Sequence, residues 1–238
     1  MSRRHGMPFL KKVAYAVALL LAVGMGFFVA KDALVNVGVR GAIQALTGLK
    51  IQMSYIHVHL TTRVVVVKDL LVLSPAGFQE PTIIDLPEIL GDYKRRSFFS
   101  DRLHLEKLRI NLRELVIERN QQGVLNIDAI PVVQAGRGRA SAPKPMPIQI
   151  DVLELHLGSV IYKDYSQPGP PQVQEFRINL RERYERVTDL QALVALIVVK
   201  SVMNTTVEQL ASIDLGPLKA PIGDLLAGAQ ALAGPSSK

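Results

Sequence analysis

His57 and His59 are the residues of this sequence whose type and spacing come nearest to a chemical site. Two apart on a strand, their imidazoles fall on one face, which is half of a metal centre. A centre needs a third donor, and the chain contains no cysteine and no His-Glu-x-x-His run to provide one. His104 and His156 sit at outward or alternation-breaking strand positions and are expected to face solvent. The carboxylates Glu106, Glu114, Glu118, Asp151 and Glu154 fall on polar strand faces, where solvated charge is their expected role. Without cysteine, thiolate zinc, disulfide and thiol-nucleophile chemistry are all excluded. Nor is there a Gly-x-Ser-x-Gly elbow, a P-loop or a Gly-x-Gly-x-x-Gly turn, so no hydrolase or nucleotide site is supported. The chain reads as a non-enzyme with no cofactor.

The elements that would position any site begin with a segment free of charge. Residues 13–30, VAYAVALLLAVGMGFFVA, lie between Lys11-Lys12 and Lys31-Asp32. Their 18 residues cover about 27 Å as a helix, against a hydrocarbon core of about 30 Å. A single transmembrane helix is expected there, following a basic cytoplasmic tail at residues 1–12. Basic residues ahead of the span place the rest of the chain on the far side of the membrane. The same residues explain the net charge of +7: of 28 basic side chains five precede Asp32, with no acidic one, leaving 23 against 21 in the body. A body so nearly balanced gives no electrostatic reason to bind nucleic acid.

Beyond the span, Leu34, Val35, Val39, Ile43 and Leu46 keep a helical spacing that Thr47-Gly48 stops, predicting a helical extension over residues 31–48. The period then changes to two. Strands are predicted at residues 51–60, with a phase slip at Tyr55-Ile56, and at 64–73, 82–90, 103–112, 115–119, 124–127, 148–157, 160–164 and 172–180. Their close spacing predicts a mostly antiparallel sheet in a domain spanning residues 49–180, with a Pro, Gly and Ala-rich loop at 131–147. Gly136-Arg-Gly-Arg in that loop has no aromatic residues interleaved and reads as solvated.

One internal repeat is visible. LEKLRINLRELVI at residues 105–117 aligns with IDVLELHLGSVIY at 150–162 at an offset of 45, matching Leu108 to Leu153, Ile110 to Leu155, Leu112 to Leu157 and Val116 to Ile161. A hairpin unit used more than once, side by side, accounts for it and gives the sheet one long apolar face. Those eight residues, Leu108, Ile110, Leu112, Val116, Leu153, Leu155, Leu157 and Ile161, are the candidate lining of a groove along that face, and what covers it is the functional question. Helices are predicted again from residue 181 to 233: a solvated start at Arg181-Glu-Arg-Tyr-Glu-Arg186, an apolar helix to Ile213, and an amphipathic helix through Ile222, Leu225, Leu226, Ala229 and Leu232. Residues 234–238 are a tail.

The order of several short motifs resembles the amino-terminal region of AsmA-family proteins, over residues 1–130. They are the anchor, Leu46-Thr47-Gly48, Val67-x-x-Leu70-x-Val72, Ser74-Pro75-Ala76-Gly77-Phe78, a turn containing Ser97, Leu105-x-x-Leu108-x-Ile110, Ile117-Glu118 and Gly123-x-x-Asn126. Ser74 stands where the family usually carries asparagine. The resemblance implies an α+β protein: one span of the bacterial inner membrane, a periplasmic β-groove of curved antiparallel sheet, and carboxy-terminal amphipathic helices. It also implies work in outer-membrane biogenesis and phospholipid movement, with membrane lipids as partners. A structural module whose sheet is filled by its own helix and which binds an envelope protein is the alternative reading.

Overall fold

The computed structural model describes residues 32–33, 35–41, 43–44, 48–94, 102–130, 133–134, 147–206, 222–223 and 230–231. The predicted tail, membrane span, Ser97 turn and Gly136-to-Arg139 run lie outside the described residues, as does most of the final helix. Among the described residues no helix is long and apolar enough to cross a membrane.

The fold is α+β, a single mixed sheet with helices. Its strands are β1 (Ile51–Gln52), β2 (Tyr55–His59), β3 (Val64–Leu73), β4 (Thr82–Tyr93), β5 (Leu103–Arg119), β6 (Ile148–Asp164), β7 (Gln172–Val187) and β8 (Gln230–Ala231). Spatial order follows chain order from β3 to β8, and β1 and β2 share the outer edge of β3. Every pairing is antiparallel except one. β5 and β6 run parallel, from Leu103 opposite Ile148 to Arg119 opposite Asp164.

That parallel pair corrects the hairpin reading of the repeat. The offset of 45 is the ladder register itself, with Leu108 beside Leu153, Ile110 beside Leu155 and Leu112 beside Leu157. Residues 103–112 and 115–119 belong to one strand, as do 148–157 and 160–164. What resembles a turn in each is a slip of alternation. Buried Leu108, Ile110 and Leu112 give way to buried Leu115 and Ile117, and Leu153, Leu155 and Leu157 to Val160 and Tyr162. The slip crosses the sheet. On β3 it falls at Asp69 (φ 49°), between buried Val67 and Leu70, and on β7 at Asn179 (φ 47°), where the β6–β7 register shifts. A second line runs through Tyr93, Glu106 and Asp151 to Arg186 (φ 57°). A one-residue slip in a lone strand turns its apolar set outward. When paired strands slip together, one face of the sheet stays apolar along its length.

At Gly158 the first line becomes a close approach. A Cβ there would sit 2.5 Å from the backbone oxygen of Arg113, so only glycine lets β5 and β6 close at that point.

The predicted helical start at Arg181 to Arg186 is strand instead. Alternation wins: Glu182 and Tyr184 point into the core while Arg181 and Glu185 are exposed. Helix α1 follows at Leu190–Met203, shorter than the predicted run to Ile213. Asp189 caps it, its carboxylate accepting from the Gln191 N–H at 2.7 Å. Gln230 and Ala231, assigned to the final helix by periodicity, pair with β7 as strand. The predicted strand at residues 124–127 is a bridge at Leu125 and a 3-10 turn, Asn126–Ala129. Described residues between 32 and 44 are helical, and Gly48 (φ 63°) donates its N–H to the Gln44 carbonyl at 2.8 Å, closing that helix.

Candidate functional site

Two helical segments meet the apolar face of the sheet. Val35, Val39 and Ile43 reach it from the amino-terminal helix, and α1 crosses β6 and β7. α1 carries aliphatic side chains on every side, a pattern that demands burial all round. Among its residues Ala195, Leu196, Val198 and Val199 are all buried. A polar clasp fixes α1 to the sheet. Lys200 donates to Glu182 of β7 at 2.7 Å, and the Tyr184 hydroxyl donates to the other oxygen of the same carboxylate. Burial first, and then the bond to Glu182, raise the Tyr184 hydroxyl pKa far above its ordinary value.

Among the described residues, two apolar chambers, each open on one side, lie between helices and sheet, of about 270 and 230 Å³. They adjoin, sharing Val39, Ile89, Leu103 and Leu108 in their walls. The first runs under Val35 toward Val65, Val67, Gly91 and Tyr93; the second extends under α1 to Leu70, Ile84, Ile110 and Val194. Among the described residues no charged side chain lines either chamber. Gly91 is the residue whose missing side chain makes room. A Cβ there would meet Leu105 and Leu108 at 3.8–3.9 Å, ordinary contact, so anything larger would project into the space.

Of the eight residues predicted to line a groove, Leu108 and Ile110 line the chambers. Leu112, Leu153, Leu155 and Leu157 lie on the same face, buried in the core cluster. Val116 and Ile161 face each other across the parallel pair but stand outside that cluster, because the slip hands its positions to Leu115, Ile117, Val160 and Tyr162. Sequence reading missed Ile89, Leu103, Ile148 and Ile130, which lie in the chamber wall. Alternation on β4 and β6 marked Ile89 and Ile148 as apolar; nothing local marked which helix would cover them.

The histidines do other work. His57 Nδ1 lies 3.1 Å from the Asp32 carboxylate, which also accepts the Val58 N–H at 2.9 Å, tying the helical segment to β2. The His57 and His59 rings meet edge to face, centroids 4.5 Å apart. Among the described residues no group of three or more His, Asp or Glu side chains is placed to hold a metal ion. His104 does not simply face water: its Nε2 lies 2.8 Å from Asp151, which Lys94 and Gln149 also approach. The Gln149 amide first, then His104 and Lys94, hold the Asp151 carboxyl down at about 2. His156 lies 3.1 Å from the Asn111 side chain, and burial, with Arg181 beside it, pushes its pKa down. The solvated role expected of Glu118 is corrected too. It is fully buried, and its carboxylate accepts the N–H groups of Gln79 and Glu80 at 2.8 and 2.7 Å. Asn126, also fully buried, bonds the backbone on either side of Ile117, accepting from the Glu118 N–H and donating to the Val116 carbonyl. Glu118 therefore ties the loop after β3 to the end of β5, and Asn126 ties the segment after β5 to the same strand end.

Compared with family models, with curated proteins and with solved structures, the chain matches none.

Proposed function

We propose that this chain is a non-enzymatic lipid-binding or lipid-guiding module of the AsmA type. In this reading it is anchored by one span in the bacterial inner membrane, amino terminus cytoplasmic and body periplasmic, and serves outer-membrane biogenesis. In this reading the two lines of slipped alternation bend the sheet into a trough, since bulged strands curve and twist more strongly. The observation that carries the reading is the pair of adjoining chambers walled by aliphatic side chains. Each methylene placed there gains about 0.8 kcal/mol. A hydrocarbon chain suits such walls; among the described residues a polar ligand would find no charged partner there.

A self-filled sheet that binds an envelope protein is the second reading, favoured by the Lys200–Glu182 clasp that seats α1 on the apolar face. One experiment separates the two. Native mass spectrometry of the detergent-extracted chain should show bound phospholipid, and Gly91→Val, whose side chain intrudes into the first chamber, should reduce it while the fold persists. A clean ligand-free species for the wild-type chain would sink the lipid reading.

A further inference from the structure

Among the described residues, the outer edge of β7 meets only the two residues of β8, at Glu182 and Arg183. From Gln172 to Arg181 no described residue pairs with that edge, and its backbone groups are the template on which another strand adds. On the outward face of that edge Glu175 and Arg177 stand two apart, joined at 3.4 Å, with their side chains 51% and 82% exposed. Val173 beside them is 56% exposed. On the core side Phe176, Ile178 and Leu180 are only partly covered.

We propose that two copies of this chain join edge to edge along this segment, antiparallel, about a two-fold axis through Phe176. Identical strands related by a two-fold axis pair antiparallel, with the same patch used twice. The charges choose the register. An axis through Glu175 or Arg177 would oppose each charge to itself, whereas the axis through Phe176 sets Glu175 against Arg177 of the second copy at both symmetric positions. An axis through Ile178 would run the second copy into Glu182, whose outer edge β8 already occupies. With Phe176 on the axis, the two rings meet on the core side and the apolar face of one sheet continues into the other. The pairing does not depend on what fills the chambers.

The absence of cysteine makes the register directly testable on the full chain in detergent. Phe176→Cys places two thiols across a paired position, with Cα atoms about 4.5–5.5 Å apart, inside the disulfide range of about 4.4–6.8 Å. Gln172→Cys places them about 27 Å apart, eight residues of strand at about 3.4 Å each. The first variant should oxidise to a covalent dimer and the second should not. Glu175→Arg or Arg177→Glu alone should weaken dimerisation, measured by light scattering or sedimentation, on the order of tenfold. The double variant E175R/R177E, which restores unlike charges across the axis, should recover it. Both side chains are exposed, so neither change threatens folding. A monomeric wild-type chain, equal crosslinking at positions 172 and 176, or single reversals without effect would each overturn the proposal.

Discussion

Removing the ammonium of Lys200 should loosen α1 from the sheet, at a cost readable from the clasp. The Lys200 and Glu182 side chains are 17% and 11% exposed and meet at 2.7 Å. Breaking such a pair from one side leaves a buried charge without its counter-charge, at about 3–5 kcal/mol. Tyr184 still donates to Glu182 after Lys200→Met, which places that variant at the lower bound, about 3 kcal/mol. Glu182→Leu strands the ammonium and also orphans the Tyr184 hydroxyl, so it should cost more. The double variant K200M/E182L removes both charges and keeps only the orphaned hydroxyl, for about 1–3 kcal/mol. Adding Tyr184→Phe should bring stability back close to wild type. Hydrogen exchange of the α1 amides in the detergent-solubilised chain measures each step. If Lys200→Met costs less than about 1 kcal/mol, or if the two single costs simply add in the double variant, the clasp is not a coupled buried pair.

Two further outcomes are expected. Gly158→Ala drives a Cβ to 2.5 Å from the Arg113 carbonyl and must push β5 and β6 apart, lowering thermal stability by the equivalent of about 1–3 kcal/mol; an unchanged melting temperature would contradict the close approach. Asp151, held at about 2 against an ordinary 3.8, favours the folded state above pH 3.8 and loses that contribution as pH falls toward 2. Asp151→Asn should therefore lower the plateau above pH 3.8, by an amount that the side chain's partial exposure keeps small, and converge on wild type near pH 2, so that the acid limb flattens in that window.

The register of the central strands was legible as the offset of 45, while their direction was not. An alternation break of one residue looks the same in sequence whether a chain turns back or slips and continues, and at Arg113 and Gly158 it continues. The same slip moved Val116 and Ile161 off the core face. Arg181 to Arg186 misled for another reason. Glu182 belongs in the core only because Lys200 reaches it from another element, and no local period reports a pairing 18 residues apart. Aliphatic identity was readable at Leu108, Ile110 and Leu153. Which of them would border a space and which would be sealed depended on where α1 and the amino-terminal helix lie, a matter of tertiary packing.

The parallel pair also sets a timetable. β3, β4 and β5 are joined in succession by short connections and find one another as they are made. The other edge of β5 must wait for β6, 45 residues later at every paired position. At synthesis rates of about 5–20 residues per second, that wait is about 2–9 s. Throughout it a strand with Leu105, Leu108, Ile110, Leu112, Leu115 and Ile117 on one face shows an open edge, the kind of surface on which nascent chains misassociate. A chaperone attending this protein during its biogenesis has its work concentrated in that interval and on that strand.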